Sequence, residues 1–131
     1  MKKTESPERS RRILVVEDEV YLRELYVDIL KNAGYQVDQA ADGQSGYRAM
    51  RRGGYDLVLL DIILPKIDGL TILRRLQETP PAKVNQHLVI LSNIDRESGL
   101  VEAKKLGAEN FLIKSDLTPD QIINQVKKYL V

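Results

Sequence analysis

Apolar residues along this chain follow two different spacings. Residues 13–16, 56–60 and 87–91 contain short continuous apolar runs, which are typical of strands buried on both faces of a sheet. Between residues 20 and 31, apolar side chains instead recur three and four positions apart, which predicts an amphipathic helix. The apolar positions of that helix are Leu22, Leu25, Tyr26, Ile29 and Leu30.

The same two patterns recur through the rest of the chain. Residues 35–40 alternate polar and apolar side chains, as an edge strand does, and residues 110–113 form a fifth apolar strand. Further helices are predicted from Asp42 to about residue 52, from Asp68 to about 78, from Asp95 to 106, and from Thr118 to 130. Strand and helix therefore alternate five times, which predicts an α/β fold: a doubly wound (βα)5 parallel sheet with helices on both faces.

Length and composition narrow the class of protein. The chain has 131 residues, which suits a single domain, and we assign residues 11–131 to it and residues 1–10 to a flexible polar tail. There is no cysteine and only one histidine, His87, which excludes disulfides, thiolate catalysis and multi-histidine metal sites. We expect His87 to be an ordinary residue at the end of its strand that lies far from Asp61, and not a phosphate relay.

Charge and hydropathy bear on partners and location. Twenty basic and nineteen acidic residues leave a formal net charge of +1, so we expect no direct binding of nucleic acid. No apolar run approaches the ~18 residues of a membrane span, and the N-terminus lacks the apolar segment of a signal peptide. We therefore expect a cytoplasmic protein without membrane contact.

Residues with a carboxylate, hydroxyl or ammonium group follow four of the five predicted strands. Glu17 and Asp18 follow the first strand, Asp61 the third, Ser92 the fourth and Lys114 the fifth. Parallel strands place these ends at one edge of the sheet, and in the flavodoxin-like strand order 2-1-3-4-5 the first and third strands are neighbours. We therefore expect the three carboxylates to converge, with Asp61 facing a cleft.

Three ionised carboxylates at close range repel one another and require a cation. Because the ligands are hard oxygens, without nitrogen or sulfur, the pattern favours Mg²⁺, which proteins use to handle phosphoryl groups. Asp61 is the best-placed carboxylate to accept a phosphoryl group, Lys114 supplies a positive charge for phosphoryl oxygens, and Ser92 supplies a hydroxyl donor. Taken singly, each residue has an ordinary alternative as a helix cap or a surface side chain, but the ordered combination is specific.

Residues 11–130 resemble the receiver domains of response regulators in two-component signalling, especially those that stand alone. The resemblance rests on the segments VVEDE, LLDIILPKIDG, VILSN and FLIKSD, and on their spacing. It implies that Asp61 accepts a phosphoryl group from a histidine kinase or phosphotransfer protein. It also implies that Asp18 holds Mg²⁺ directly and Glu17 largely through water, with Asp61 and the main-chain carbonyl of Ile63 as further ligands.

The resemblance further implies a switch and not an enzyme. Lys114 would pair with the carboxylate and then with the phosphoryl group, and Ser92 would hydrogen-bond a phosphoryl oxygen and draw its loop inward, with Phe111 turning inward after it. The surface read by partners would be about residues 95–130, contacted by an unknown downstream protein or by a second copy in a phosphorylation-dependent homodimer.

Several residues depart from the family pattern. Ser115 stands where the family commonly has proline, Asn93 is larger than usual, and Phe111 lacks the hydroxyl of the more usual tyrosine. Ile63 and Ile94 flank the site where polar side chains often position an attacking water. We therefore expect slow loss of the phosphoryl group.

Two other functions compete with this interpretation. A receiver-shaped interaction module that works without phosphorylation usually lacks the acidic pocket, which this chain keeps. A Mg²⁺-dependent phosphatase with Asp61 as its nucleophile is the weaker alternative, because the general acid expected two residues later is replaced by Ile63.

Overall fold

The computed structural model describes residues 11–93 and 97–131 and contains one five-stranded parallel sheet. Its strands, in chain order, are Arg12–Val16 (β1), Gln36–Ala40 (β2), Leu57–Leu60 (β3), His87–Ser92 (β4) and Asn110–Ile113 (β5). The spatial order is β2-β1-β3-β4-β5, and every neighbouring pair is parallel. The predicted fold and strand order are confirmed, with β2 at one edge.

Helices cover both faces of this sheet. They are Val20–Asn32 (α1), Gly43–Arg52 (α2), Gly69–Glu78 (α3), Glu97–Lys105 (α4) and Pro119–Lys127 (α5). Buried residues of α1 and α5 share one apolar cluster, and buried residues of α2, α3 and α4 share the other. None of the helices in the described part of the chain is both long enough and apolar enough to cross a membrane.

The strands supply side chains to both clusters alternately. Leu57 and Leu59 join the cluster under α1 and α5, whereas Val58 and Leu60 join the opposite one. All four residues of β3 are fully buried, as the continuous apolar run predicts for a central parallel strand. The centre of the sheet is therefore covered on both faces, whereas the edge strand β2 is largely exposed.

Helix caps follow the predicted positions where they can be compared. The side chain of Asp42 accepts a hydrogen bond from Ser45 N at 2.8 Å, and Asp68 accepts one from Thr71 N at 2.9 Å. Thr118 and Gln121 form a reciprocal capping box ahead of α5. The predicted cap Asp95 lies outside the described residues.

The end of the chain differs from the prediction. Helix α5 ends at Lys127 and not at Leu130, since the amides of Tyr129 and Leu130 bond to carbonyls three residues back in a tighter turn. Leu130 is nevertheless buried, as expected. A single 3₁₀ turn at Lys114–Asp116, which the apolar pattern does not reveal, connects β5 to the last helix.

The start of α2 makes a close contact with the loop that follows β3. Gly43 N donates to Pro65 O at 3.0 Å, and a Cβ atom on Gly43 would lie 1.5 Å from Ile67 O. Because the obstructing atom belongs to the main chain, it cannot move aside cheaply.

We predict that Gly43→Ala lowers the free energy of unfolding by roughly 2 kcal/mol or more, because the added methyl group separates α2 from this loop. Urea unfolding measures the change. Gln44→Ala, at the neighbouring exposed position, is the matched control and should stay within about 0.5 kcal/mol of wild type. Equal stabilities for the two variants would show that the contact does not constrain the loop.

Candidate functional site

Three carboxylates meet at the carboxyl edge of the sheet. Glu17 and Asp18 follow β1 and Asp61 follows β3, and one oxygen of each lies within 4.8 Å of the others. The register explains the meeting, because Val16 pairs with Leu60 and the next residues of both strands leave the sheet side by side. The structure thus brings together the three acids that the sequence places at strand ends.

Lys114 joins this group from the end of β5. Its Nζ donates a hydrogen bond to Asp61 Oδ2 at 2.7 Å and lies 2.5 Å from Glu17 Oε1. The second contact is an ion pair that lacks the alignment of a hydrogen bond. One ammonium group therefore faces two carboxylates at once.

Two of the three carboxylates have little contact with solvent. Asp61 exposes only 4% of its surface and Glu17 only 2%. The physical reason is the ion pair with Lys114, because a carboxylate with a close cation can remain buried where an isolated one cannot.

Burial and charge shift the proton equilibria of this group. Burial raises the pKa of the Glu17 carboxyl above its usual value, and the contacts with Lys114 and with Glu19 N offset only part of that rise. Burial by itself lowers the pKa of Lys114, but its contacts with Asp61 and Glu17 outweigh burial and raise that pKa. The geometry therefore holds Lys114 in its charged form.

The main chain fixes Asp61 from several sides. Asp61 N donates to Val16 O at 3.0 Å, and Asp61 Oδ1 accepts from Ile63 N at 3.1 Å. Gly69 N donates to Ile62 O at 2.8 Å, and a Cβ atom on Gly69 would lie 2.6 Å from Asp61 O. The glycine eight residues after Asp61 thus allows the start of α3 to lie directly against the acid-bearing turn.

Ser92 is the last residue of β4, and its hydroxyl group is notable for its hydrogen bonding. The residue is fully buried, and its Oγ has no hydrogen-bond partner within residues 11–93 and 97–131. Ser92 pairs in register with Ile113, the residue before Lys114. A buried hydroxyl without a partner is costly in a folded protein, so this one stands out among the polar groups of the described residues.

The structure describes most of the residues that depart from the family pattern. Ile63 exposes 58% of its surface beside Asp61, whereas Ile94 lies outside the described residues. Phe111 is half-buried against the cluster under α2, α3 and α4. The Lys114–Ser115 peptide bond is trans, and Ser115 N donates to Asn93 Oδ1 at 3.0 Å. That hydrogen bond, which a proline at 115 could not make, was not expected from the sequence.

His87 lies at the opposite edge, as expected. It pairs with Leu57 at the start of β3, and its Nδ1 lies 2.6 Å from Glu109 Oε1. Asp61 follows the far end of β3, so the length of the strand separates the two residues.

One contributor to the site was missed in the sequence. Arg23 Nη1 donates to the main-chain oxygen of Glu17 at 2.9 Å, and Arg23 Nε donates to Gln39 Oε1 at 2.9 Å. The only available signal was a basic residue one turn into the helix that follows the acid pair. Its acceptors lie on other elements and could not be read from spacing.

Comparison with known proteins identifies the family of this chain. The family model of the response regulator receiver domain matches residues 13–127. The chain belongs to this family. It is a CheY-like receiver domain of two-component response regulators, and receiver domains are generally signalling domains and not enzymes.

Individual relatives show how the receiver domain is used elsewhere. The chain is 39% identical over 107 residues to the chemotaxis protein CheY of Treponema pallidum, covering 79% of this chain and 72% of that protein. It is 34% identical to the hybrid signal transduction histidine kinase B of Dictyostelium discoideum, covering 94% of this chain but only 7% of that protein. The receiver domain thus spans a small part of one relative and most of another.

A solved structure gives the same fold. The CheX–CheY–BeF3–Mg2+ complex of Borrelia burgdorferi matches with a TM-score of 0.78 and 26% identity, over 92% of this chain and 90% of that one.

We predict that Lys114→Met lowers the free energy of unfolding by about 3 kcal/mol, because Glu17 and Asp61 are left facing each other without a cation. In an Asp61→Asn background the same substitution should cost at least about 1 kcal/mol less, as a double-mutant cycle in urea would measure. Lys66→Met removes an exposed lysine paired with Asp42 at 3.5 Å and serves as the control, with a much smaller effect. Strictly additive effects of the Lys114 and Asp61 substitutions would contradict the ion pair.

Proposed function

We propose that this receiver domain accepts a phosphoryl group on Asp61 from a histidine kinase or phosphotransfer protein. The observation that carries the proposal is the contact of Asp61 with Lys114 inside a cluster of three acids. A carboxylate held beside a fixed ammonium group has its negative charge balanced before an anionic phosphoryl group arrives. The relatives support the donor, since one of them is itself a hybrid histidine kinase.

The residues fit Mg²⁺. The side-chain donors are all carboxylate oxygens, and one of the three acids, Asp18, is exposed and therefore open to a partly hydrated ion. Glu17, Asp18, Asp61 and the main-chain oxygen of Ile63 would hold it. When bound, Mg²⁺ would offset charge on the phosphoryl oxygens.

The chain's own groups account for the transfer. A carboxylate oxygen of Asp61 forms a bond to phosphorus as the bond from phosphorus to the donor histidine nitrogen breaks, and that electron pair stays on the imidazole. Lys114 remains close to the new aspartyl phosphate and offsets its charge. Ser92, whose hydroxyl has no partner in the described part of the chain, donates to a phosphoryl oxygen.

Movement of Ser92 toward the phosphoryl group provides the switch. The loop after β4 leads to α4, β5 and α5, so the interaction surface lies at about residues 95–130, of which 95 and 96 fall outside the described part. Phe111, which is half-buried against the cluster under α2, α3 and α4, would turn further inward in response. Output passes to a downstream protein or to a second copy of the chain; the Borrelia CheY, for comparison, was solved with CheX.

The two competing functions have no comparable support. A phosphorylation-independent module has no need for a buried lysine between two carboxylates. A phosphatase lacks an acid at position 63, where an exposed isoleucine stands. The apolar side chain at this position also agrees with the expected slow loss of the phosphoryl group, which stays a prediction.

We predict that acetyl phosphate with Mg²⁺ adds one phosphoryl group to the chain, as detected by intact-protein mass spectrometry. Asp61→Asn should abolish the gain because it removes the nucleophilic oxygen. Asp68→Asn is the matched control: it lies in the same loop region and keeps a good N-cap, so the gain should persist. A phosphoryl group that still appears on Asp61→Asn, or never appears on wild type, would refute the proposal.

A further inference from the structure

Arg23 connects three elements at the acidic edge of the sheet. From α1, its guanidinium donates one hydrogen bond to the main-chain oxygen of Glu17 after β1 and one to the side chain of Gln39 in β2, each at 2.9 Å. Both acceptors are neutral, so neither bond compensates the charge of a carboxylate. The bond to Gln39 anchors the guanidinium to β2, and the bond to Glu17 restrains the main chain.

The two acids after β1 are held very differently. The Glu17 carboxylate is buried, contacts Lys114 at 2.5 Å and accepts from Glu19 N at 3.0 Å. The Asp18 carboxylate is exposed, and no hydrogen bond or ion pair joins it to another residue of the described ranges. The direction of Asp18 therefore depends on its main chain.

Arg23 holds the peptide unit that sets this direction. The Glu17 carbonyl group lies in one rigid plane with the amide nitrogen and Cα of Asp18. On the other side of Glu17, its N donates to Ala40 O at 3.0 Å and fixes the preceding peptide to β2. With the bond from Arg23, both peptide planes around Glu17 are fixed. Without it, the carbonyl of the plane that leads to Asp18 loses its hydrogen bond, and the bond from Glu19 N to Glu17 Oε2 remains as a weaker restraint on this segment.

We propose that Arg23 is a positioning residue that aims the Asp18 carboxylate at the cation site shared with Glu17 and Asp61. The inference rests on the proposed function, because Mg²⁺ is the ligand for which Asp18 is held. It predicts that loss of the Arg23 hydrogen bonds weakens Mg²⁺ binding even though the ion never touches Arg23.

The direction in which the Mg²⁺ affinity changes distinguishes a positioning role of Arg23 from an effect of its charge. Arg23 is a cation near a cation site, so removing its charge should by itself tighten Mg²⁺ binding. A weaker affinity in a variant without that charge therefore reports lost orientation.

Isothermal titration of the full chain with MgCl₂, without a phosphoryl donor, tests this directly. Arg23→Met keeps an apolar stem but loses both donors, and we expect its Kd for Mg²⁺ to rise about 10-fold. Arg23→Lys, which keeps the charge and one donor group, should rise less. The control Arg48→Met removes an exposed arginine of α2 and should leave the Kd unchanged.

Urea unfolding of the same variants excludes a purely structural role. A less stable Arg23→Met protein with wild-type Mg²⁺ affinity would overturn the inference, even if Asp61 is phosphorylated normally. If Arg23→Met does not fold, the variants Arg23→Lys and Gln39→Ala test the inference instead. We expect each of them to weaken Mg²⁺ binding about 2- to 3-fold. Unchanged affinity in both would overturn the inference. A wild-type chain that binds no Mg²⁺ would overturn this inference and the metal part of the proposed function together.

Discussion

The contact of one ammonium group with two buried carboxylates is the interaction on which this site depends. Lys114 lies 2.7 Å from Asp61 and 2.5 Å from Glu17, and all three side chains are almost excluded from water. Two like charges at this distance would otherwise favour unfolding or protonation. Burial raises the pKa of Glu17 and so opposes its charged form, and the contact with Lys114 offsets part of that rise.

The architecture delivers these charges without placing any of them within the sheet. The central strands β1 and β3 end together at one edge, and the acids Glu17 and Asp61 come directly after the last paired residues Val16 and Leu60. Two glycines then allow main chains to approach closely around Asp61: Gly69 brings α3 against the turn, and Gly43 brings α2 against the following loop. The apolar core thus determines the geometry of the polar site, because the register of β1 and β3 fixes which residues emerge side by side.

Features governed by local pattern could be predicted from the sequence. The strands, the caps at Asp42, Asp68 and Thr118, and the residues that follow each strand depend on short apolar runs and their neighbours. The contacts of Arg23 and the bond between Ser115 and Asn93 could not be predicted, because they join residues of different elements and depend on how the loops are oriented. The burial of Asp61 could not be predicted for a related reason: it depends on the distance that Lys114 reaches across the sheet edge.

The central claim is that the acidic cluster and Lys114 form one site for a divalent ion and a phosphoryl group. Thermal unfolding with MgCl₂, with beryllofluoride, and with both together tests it most directly. Each ligand should strengthen binding of the other, so the two together should raise the Tm by more than the sum of their separate effects, and Asp61→Asn should abolish this excess. Additive shifts, or an excess that persists in Asp61→Asn, would contradict a shared site.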